Sequence, residues 1–356
     1  MTTSAPTISD VARLAAVSTA TVSNVLNGSR NVSAGVRERV LKAVDALGYS
    51  PHPAARSMRG GASRLIGLIV ADIMNPFFTE LLHWVERAAN ANGYAVLLCN
   101  SDEDVQREQQ HLQLLRSQRV DGILLAATGH SSKERALAIS RLRVPVVLVD
   151  RGFEEFGLDA VVLDNRRAAL EAMRHLLGFG HERIAMIGGP LTLNTGAQRL
   201  AGYREGLLEA GIRFDPRWVR DAGFREQPAY DAAREMLAAA DRPSAILAAN
   251  TLIAIGAMRA ITDSQLQCPD DVSVVGIDDS PWVNAFRPHL TTVAQPVAQI
   301  GEAAVRLLLA RIDGSLTGTA RTEVMEPTLM VRDSCSSPAP STARRKTGTA
   351  LSREQP

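Results

Sequence analysis

Residues 7–26, TISDVARLAAVSTATVSNVL, decide how the amino end of this chain is read. Thr7 with Asp10 three positions later has the form of a capping box, and an acid at a helix start also suits the helix dipole. Behind that box Ile8, Val11, Ala12 and Ala15 recur at helical spacing and make one apolar face. Ser18 is a good N-cap for a second helix, which runs through Leu26 and stops at Asn27-Gly28. Turning Val22, Val25 and Leu26 inward leaves Thr19, Ala20, Ser23, Asn24 and Asn27 as one outward stripe, small and uncharged.

Working outward, Ser33 opens a third helix in which Val36, Val40, Ala43, Val44 and Leu47 form a stripe and Gly48 ends it. Three amphipathic helices in about fifty residues make a minimal bundle. The next run, SPHPAARSMRGGASR, has two prolines, two glycines and three arginines, so it reads as a linker with room for one helical turn at Ala54–Arg59. From Leu65 the pattern changes to short β-rich runs such as Ile66–Ala71, Gly122–Ala126, Val144–Val149, Ile184–Ile187 and Val272–Gly276. Helical stretches lie between them, among them Phe77–Asn92, Arg166–Gly178 and Gln198–Ala210. Strand and helix in alternation predict doubly wound parallel sheets, and some 265 residues of it predict two lobes rather than one. Ligands in such folds sit beyond the carboxyl ends of strands, between lobes. The final stretch, from 335 to 356, is polar and aperiodic and is expected to be a disordered tail.

The chain has 356 residues, 46% of them apolar and 22% charged, which suits a soluble protein of two or three domains. No apolar run is long enough for a membrane helix, and the first residues lack the form of a secretory signal, so a cytoplasmic location is expected. Cys99, Cys268 and Cys335 have no metal-ligand spacing, and neither a metal nor a cofactor is expected. The net charge of +1 hides an asymmetry. Residues 1–64 carry eight basic against three acidic side chains, 335–356 carry four against one, and the stretch between them is left at −7. A basic head on an acidic body suits a polyanion partner, although a solvated basic surface would look the same. The outward stripe of the second helix points the same way. Hydroxyls, amides and a methyl enter a DNA major groove without steric conflict, and nearby arginines supply phosphate contacts. No nucleotide-binding glycine loop, HExxH or GxSxG occurs, so an enzyme is disfavoured; an α/β sugar- or nucleotide-binding enzyme is the alternative.

The run from Thr7 to Met58 resembles the DNA-binding head of the lactose-repressor (LacI-type) family of bacterial transcription regulators. The body continues the resemblance through IGLIVADIMNPFF, QRVDGILL, VPVVLVDR, GFGHERIAMIGGP, NTGAQRLAGY, AIGAMRAI, VSVVGIDD and LTTVAQP, so that it covers about residues 6–332. It implies a helix-turn-helix head (6–52), a hinge (53–64) and a two-lobed effector-binding and dimerisation body of the periplasmic-binding-protein type (65–332). In function it implies a homodimeric repressor on a palindromic operator, controlled by a small molecule.

Residue by residue, the resemblance places Thr19, Ala20, Asn24 and Arg30 where bases are read. Ser18, Thr21, Ser23, Asn27 and Tyr49 fall where phosphates are contacted. Ala55, Arg56, Ser57 and Met58 fall at the minor-groove hinge, with Met58 as the wedge where the family usually has leucine. Asp72, Asn75, Phe77, Phe78, Asp150, Arg199, Phe224, Asn250 and Asp278 match the usual lining of the effector cleft. Aromatic faces stack on a sugar or base while arginine and carboxylates bond its polar edge. Leu193 stands where the purine-responsive branch has arginine, which favours a sugar-like effector over a purine. Taken singly, an Asp or Arg at a strand end is more often structural, and Asn75-Pro76 also reads as a helix start.

Overall fold

Helices α1 (Ile8–Leu14), α2 (Thr19–Leu26) and α3 (Ala34–Leu47) form around the signals noted above. Asp10 N–H donates to Thr7 Oγ1 at 3.4 Å and Thr7 N–H to the Asp10 carboxylate at 2.9 Å, closing the capping box. Ser18 Oγ accepts from Thr21 N–H at 3.1 Å and so caps α2. Ser33 differs: it holds the extended N-cap position of α3 without a side-chain capping bond, and α3 starts on the backbone bond from Arg37 N–H to Ser33 C=O. Among the described residues the buried centre is alanine and valine (Val11, Ala12, Ala15, Val22, Val25, Val40 and Ala43), with Ile8, Leu47 and Tyr49 packed at its margin. Such small side chains let three short helices approach closely.

The computed structural model describes residues 6–26, 32–49, 62–130, 132–152, 157–285 and 287–338. Asn27, Arg30 and the hinge residues Ala55, Arg56, Ser57 and Met58 lie outside the described residues, as does 339–356 of the expected tail. The chain divides between Ser63 and Arg64 into two units, the head and the body.

The body holds two six-stranded sheets. In the first the order is β11-β5-β4-β3-β1-β2, from β1 (Leu65–Val70), β2 (Ala95–Asn100), β3 (Gly122–Leu125), β4 (Val146–Val149), β5 (Asp159–Leu163) and β11 (Thr322–Met325), all pairs parallel. The second runs β12-β10-β9-β8-β6-β7, from β6 (Ile184–Gly188), β7 (Val219–Asp221), β8 (Ala245–Ala248), β9 (Ser273–Ile277), β10 (Thr291–Ala294) and β12 (Thr328–Met330). Here only β12 pairs antiparallel, with β10. Strands β3, β4, β6, β8 and β9 are buried along their whole length, which is why they read as unbroken apolar runs rather than alternating ones.

Between the strands run α4 (Pro76–Ala91), α5 (Val105–Ser117), α6 (Lys133–Ser140), α7 (Asn165–Gly178), α8 (Asn194–Glu209), α9 (Glu226–Leu237), α10 (Thr251–Asp263) and α11 (Val297–Ile312). The chain crosses between lobes three times, after β5, after β10 and between β11 and β12. Beyond β12 the segment stays in the body. Ser334 is fully buried, its Oγ donates to Val274 C=O at 2.6 Å, and Ser336 N–H donates to Ser273 Oγ at 3.0 Å. Cys335 and Ser336, expected to open a disordered tail, are instead ordered against the body, because this segment bonds to β9 rather than to solvent.

Candidate functional site

On the head, α2 buries Val22 and Val25 and exposes Thr19, Ala20 and Asn24. Thr21 and Ser23 are half-buried, and the Thr21 hydroxyl lies 2.9 Å from that of Ser18. Tyr49 is half-buried against the head core, just past the left-handed Gly48 that ends α3. An exposed ridge of threonine, alanine and asparagine backed by valines offers short donors, acceptors and a methyl on a rigid element.

In the body, side chains from the carboxyl ends of strands in both lobes converge. After β1 the chain turns on Asp72, whose carboxylate accepts from Met74 N–H at 2.9 Å and whose carbonyl accepts from Asn75 N–H at 3.1 Å. Asn75 caps α4, accepting from Phe77 N–H at 3.1 Å, and Pro76 supplies the first helical φ. Phe77 and Phe78 follow edge to face, 5.1 Å between ring centres. Asp150 and Arg151 follow β4. From the other lobe come Thr195 and Arg199 of α8, Phe224 after β7, Asn250 after β8, Asp278 after β9 and Gln295 after β10. Asn75, Phe77, Phe78, Asp150, Arg199, Phe224, Asn250 and Asp278 thus line one cavity, while Asp72 shapes the turn behind it. Arg151, Thr195 and Gln295 complete the lining. They sat inside VPVVLVDR, NTGAQRLAGY and LTTVAQP, but nothing local separates them from their neighbours.

Backbone and packing hold this set in place. Asp150, Phe224 and Asp278 have φ of +66°, +59° and +78°, a left-handed conformation that costs non-glycine residues about 1–3 kcal/mol and clusters at ligand sites. Gly189 makes way for Phe224, since a Cβ there would stand 2.3 Å from the ring. Asn250 caps α10 by accepting from Ile253 N–H at 2.8 Å and donates to Phe224 C=O at 3.2 Å. Arg199 Nε donates to Asn165 Oδ1 at 2.8 Å, and its Nη1 donates to Ala249 C=O. The guanidinium carbons of Arg199 and Arg151 stand 5.8 and 5.9 Å from the centre of the Phe224 ring, so one aromatic face meets a cation from each lobe. The space left between these groups is about 20 Å³, enough for a water molecule.

Burial dominates the electrostatics. Asp150 is pushed up to about 6 by loss of water, against the pull of Arg151 and Arg199. Asp278 is raised for the same reason, although Arg199 and a 2.6 Å bond from Gln295 Nε2 oppose the shift. Arg199 is lowered by its own burial. Of seven buried side-chain polar atoms that make no hydrogen bond among the described residues, three, Arg151 Nε, Thr195 Oγ1 and Gln295 Oε1, belong to residues that line the cavity. Buried groups of this kind ordinarily have partners, and these three are open to a polar ligand in the cavity. Larger hollows lie elsewhere, one of about 350 Å³ beside β5 and β11, but it is the cleft that gathers opposed charges with orphaned donors and acceptors.

Comparison with known proteins agrees with this division. Residues 7–52 match the family model described as bacterial regulatory proteins, lacI family, and 173–335 match a periplasmic binding protein-like domain. Over 330 residues the chain is 36% identical to the HTH-type transcriptional repressor PurR of Mannheimia succiniciproducens, covering 92% of this chain and 98% of that one. It is 37% identical over 329 residues to the ribose operon repressor of Haemophilus influenzae, again covering 92% and 98%. Among solved structures it is similar to the Lac repressor dimer bound to operator and the anti-inducer ONPF, at 28% identity and a TM-score of 0.83, covering 94% and 100%. It is also similar to the transcriptional regulator CelR in complex with cellobiose, at 34% identity and a TM-score of 0.70, covering 92% and 99%.

Proposed function

This chain belongs to the lacI family of bacterial regulatory proteins and is a DNA-binding transcriptional repressor with an effector-binding domain; from that premise we propose that its effector is a small neutral sugar. The alternative of an α/β enzyme falls away with that membership. The observation that carries the sugar reading is the cleft's pairing of two buried carboxylates, Asp150 and Asp278, with Arg199 and with the faces of Phe77, Phe78 and Phe224. Carboxylates accept from vicinal hydroxyls, arginine donates to ring and hydroxyl oxygens, and the rings pack on the C–H faces of the sugar. A purine offers a few N–H donors beside its ring-nitrogen and carbonyl acceptors, but no row of vicinal hydroxyls to occupy both carboxyls. Leu193, 5% exposed, adds no donor at the start of α8. The name of one relative refers to ribose and that of another to PurR, so chemistry and not naming decides between ligands.

The reading extends to the head. Thr19, Ala20, Asn24 and Arg30 read base edges; Ser18, Thr21, Ser23, Asn27 and Tyr49 hold phosphates. Ala55, Arg56, Ser57 and Met58 enter the minor groove, two copies of the chain sitting on a palindromic operator. The small space in the cleft requires the lobes to part for a sugar and close on it. A coupling of about 1–3 kcal/mol between that closure and the head changes operator affinity roughly 5–150-fold. A thermal-shift series tests the effector, because a ligand that binds the folded state raises the melting temperature. Ribose and related aldoses are expected to raise it while hypoxanthine and guanine do not; a shift with a purine and none with any aldose overturns the sugar reading.

A further inference from the structure

We propose that Glu103, which does not line the cleft, is a specificity-determining residue that makes the site reject phosphorylated sugars by cancelling the charge of Arg151. This rests on the sugar reading above. Glu103 follows β2 at φ +58°, immediately after Asp102 at φ +53°, so two successive non-glycine residues adopt the left-handed conformation. That corner is held by Glu103 N–H donating to Ala71 C=O at 2.9 Å and turns the carboxylate onto Arg151. The pair is bidentate, with Nη2 to Oε1 at 2.6 Å and Nη1 to Oε2 at 2.8 Å, and Nη1 also donates to Ala127 C=O at 3.2 Å. Arg151 is 4% exposed, so the pairing takes place in a poorly screened setting.

Arg151 therefore offers the cavity an N–H at Nε, 3.5 Å from Asp150, while its charge is already matched by Glu103. What remains is Arg199 facing both Asp150 and Asp278, so that no positive charge is left over. Glu80, half-buried beside Asp278, is raised by burial and then by that neighbour, as expected where the local field is negative. A neutral polyhydroxyl ring is indifferent to this balance, whereas a phosphate dianion is repelled by it. Without Glu103, Arg151 keeps the longer contact to Asp150 and the cleft gains one positive charge relative to the wild type, a change that favours a phosphate.

The test measures the binding of ribose and of ribose 5-phosphate to the full-length repressor by calorimetry at fixed ionic strength. The wild type is expected to bind ribose and discriminate against the phosphate. Glu103→Gln is expected to reduce that ratio by about tenfold or more, and Glu103→Asp, which keeps the charge, to restore most of it. Should Glu103→Gln fold poorly with an unpaired arginine, Glu103→Gln with Arg151→Gln removes both charges. It is expected to bind ribose more weakly yet to reject the phosphate as the wild type does. An unchanged ratio in folded Glu103→Gln, or a wild type that binds both sugars equally, overturns the role of Glu103. A wild type that binds a purine base and neither sugar overturns the sugar reading instead.

Discussion

In the head, Thr19, Ala20 and Asn24 stand exposed on one helix whose other face buries Val22 and Val25; in the cleft, Asp150, Arg199 and Asp278 are at most 6% exposed and come from separate segments of the chain. The head's groups carry no charge and need only a rigid backbone behind them. The cleft's groups are charged, buried and partly self-compensating, so each depends on the others. On the proposed reading, exposed recognition is additive and local, while buried recognition is collective. The difference also sets cost. The head positions its stripe with a capping box and an alanine–valine core, whereas the cleft holds three residues in left-handed backbone and two carboxylates out of water.

Arg199→Ala is the severest way to probe this contrast. It removes the cation that faces Asp150 and Asp278, and effector affinity should fall by about a hundredfold or more, abolishing the response, while operator affinity stays nearly intact. Titration of operator binding with and without ribose reads both quantities, and a surviving response breaks the collective picture. Asp150→Asn sharpens it through pH. The folded carboxyl titrates near 6 and the unfolded one near 3.8, so across that window the unfolded chain releases a proton that the folded chain keeps. The contribution of this group is full below about pH 4 and is lost as pH rises through 6, at most about 3 kcal/mol. Denaturation of the two proteins from pH 4 to 7 should show the wild type losing stability relative to the variant, and parallel profiles would mean that the carboxylate is better compensated than its burial implies. Asn24→Ala tests the additive side. It should relax preference at a single base position at a cost of about 1–3 kcal/mol, and a uniform loss over all sequences would place Asn24 on the backbone of the DNA instead.

The head was legible because helix signals are short-range: Thr7 with Asp10, Ser18, and the spacing of Val22, Val25 and Val40 each act within a turn or two. Ser33 shows the margin of such reading, since a favourable capping residue leaves its side chain unused. In the body the alternation of strand and helix is visible because buried parallel strands are apolar on both faces. Family likeness supplied most of the cleft. Among the residues it left unnamed are two whose role depends on distant partners, Gln295 on Asp278 and Arg151 on Glu103. Glu103 stands in an acidic stretch, SDEDVQRE, where nothing marks one carboxylate as inward.

Hydrophobic period, capping chemistry and glycine placement thus determined by themselves that a three-helix head precedes two α/β lobes, because those forces act between residues near in sequence. Which charges face one another across the cleft, which are cancelled from behind and which polar atoms are left over was decided by the tertiary structure alone. Coulomb and hydrogen-bond energies depend on distances and burial that exist only once seven strand ends from two sheets have been brought together.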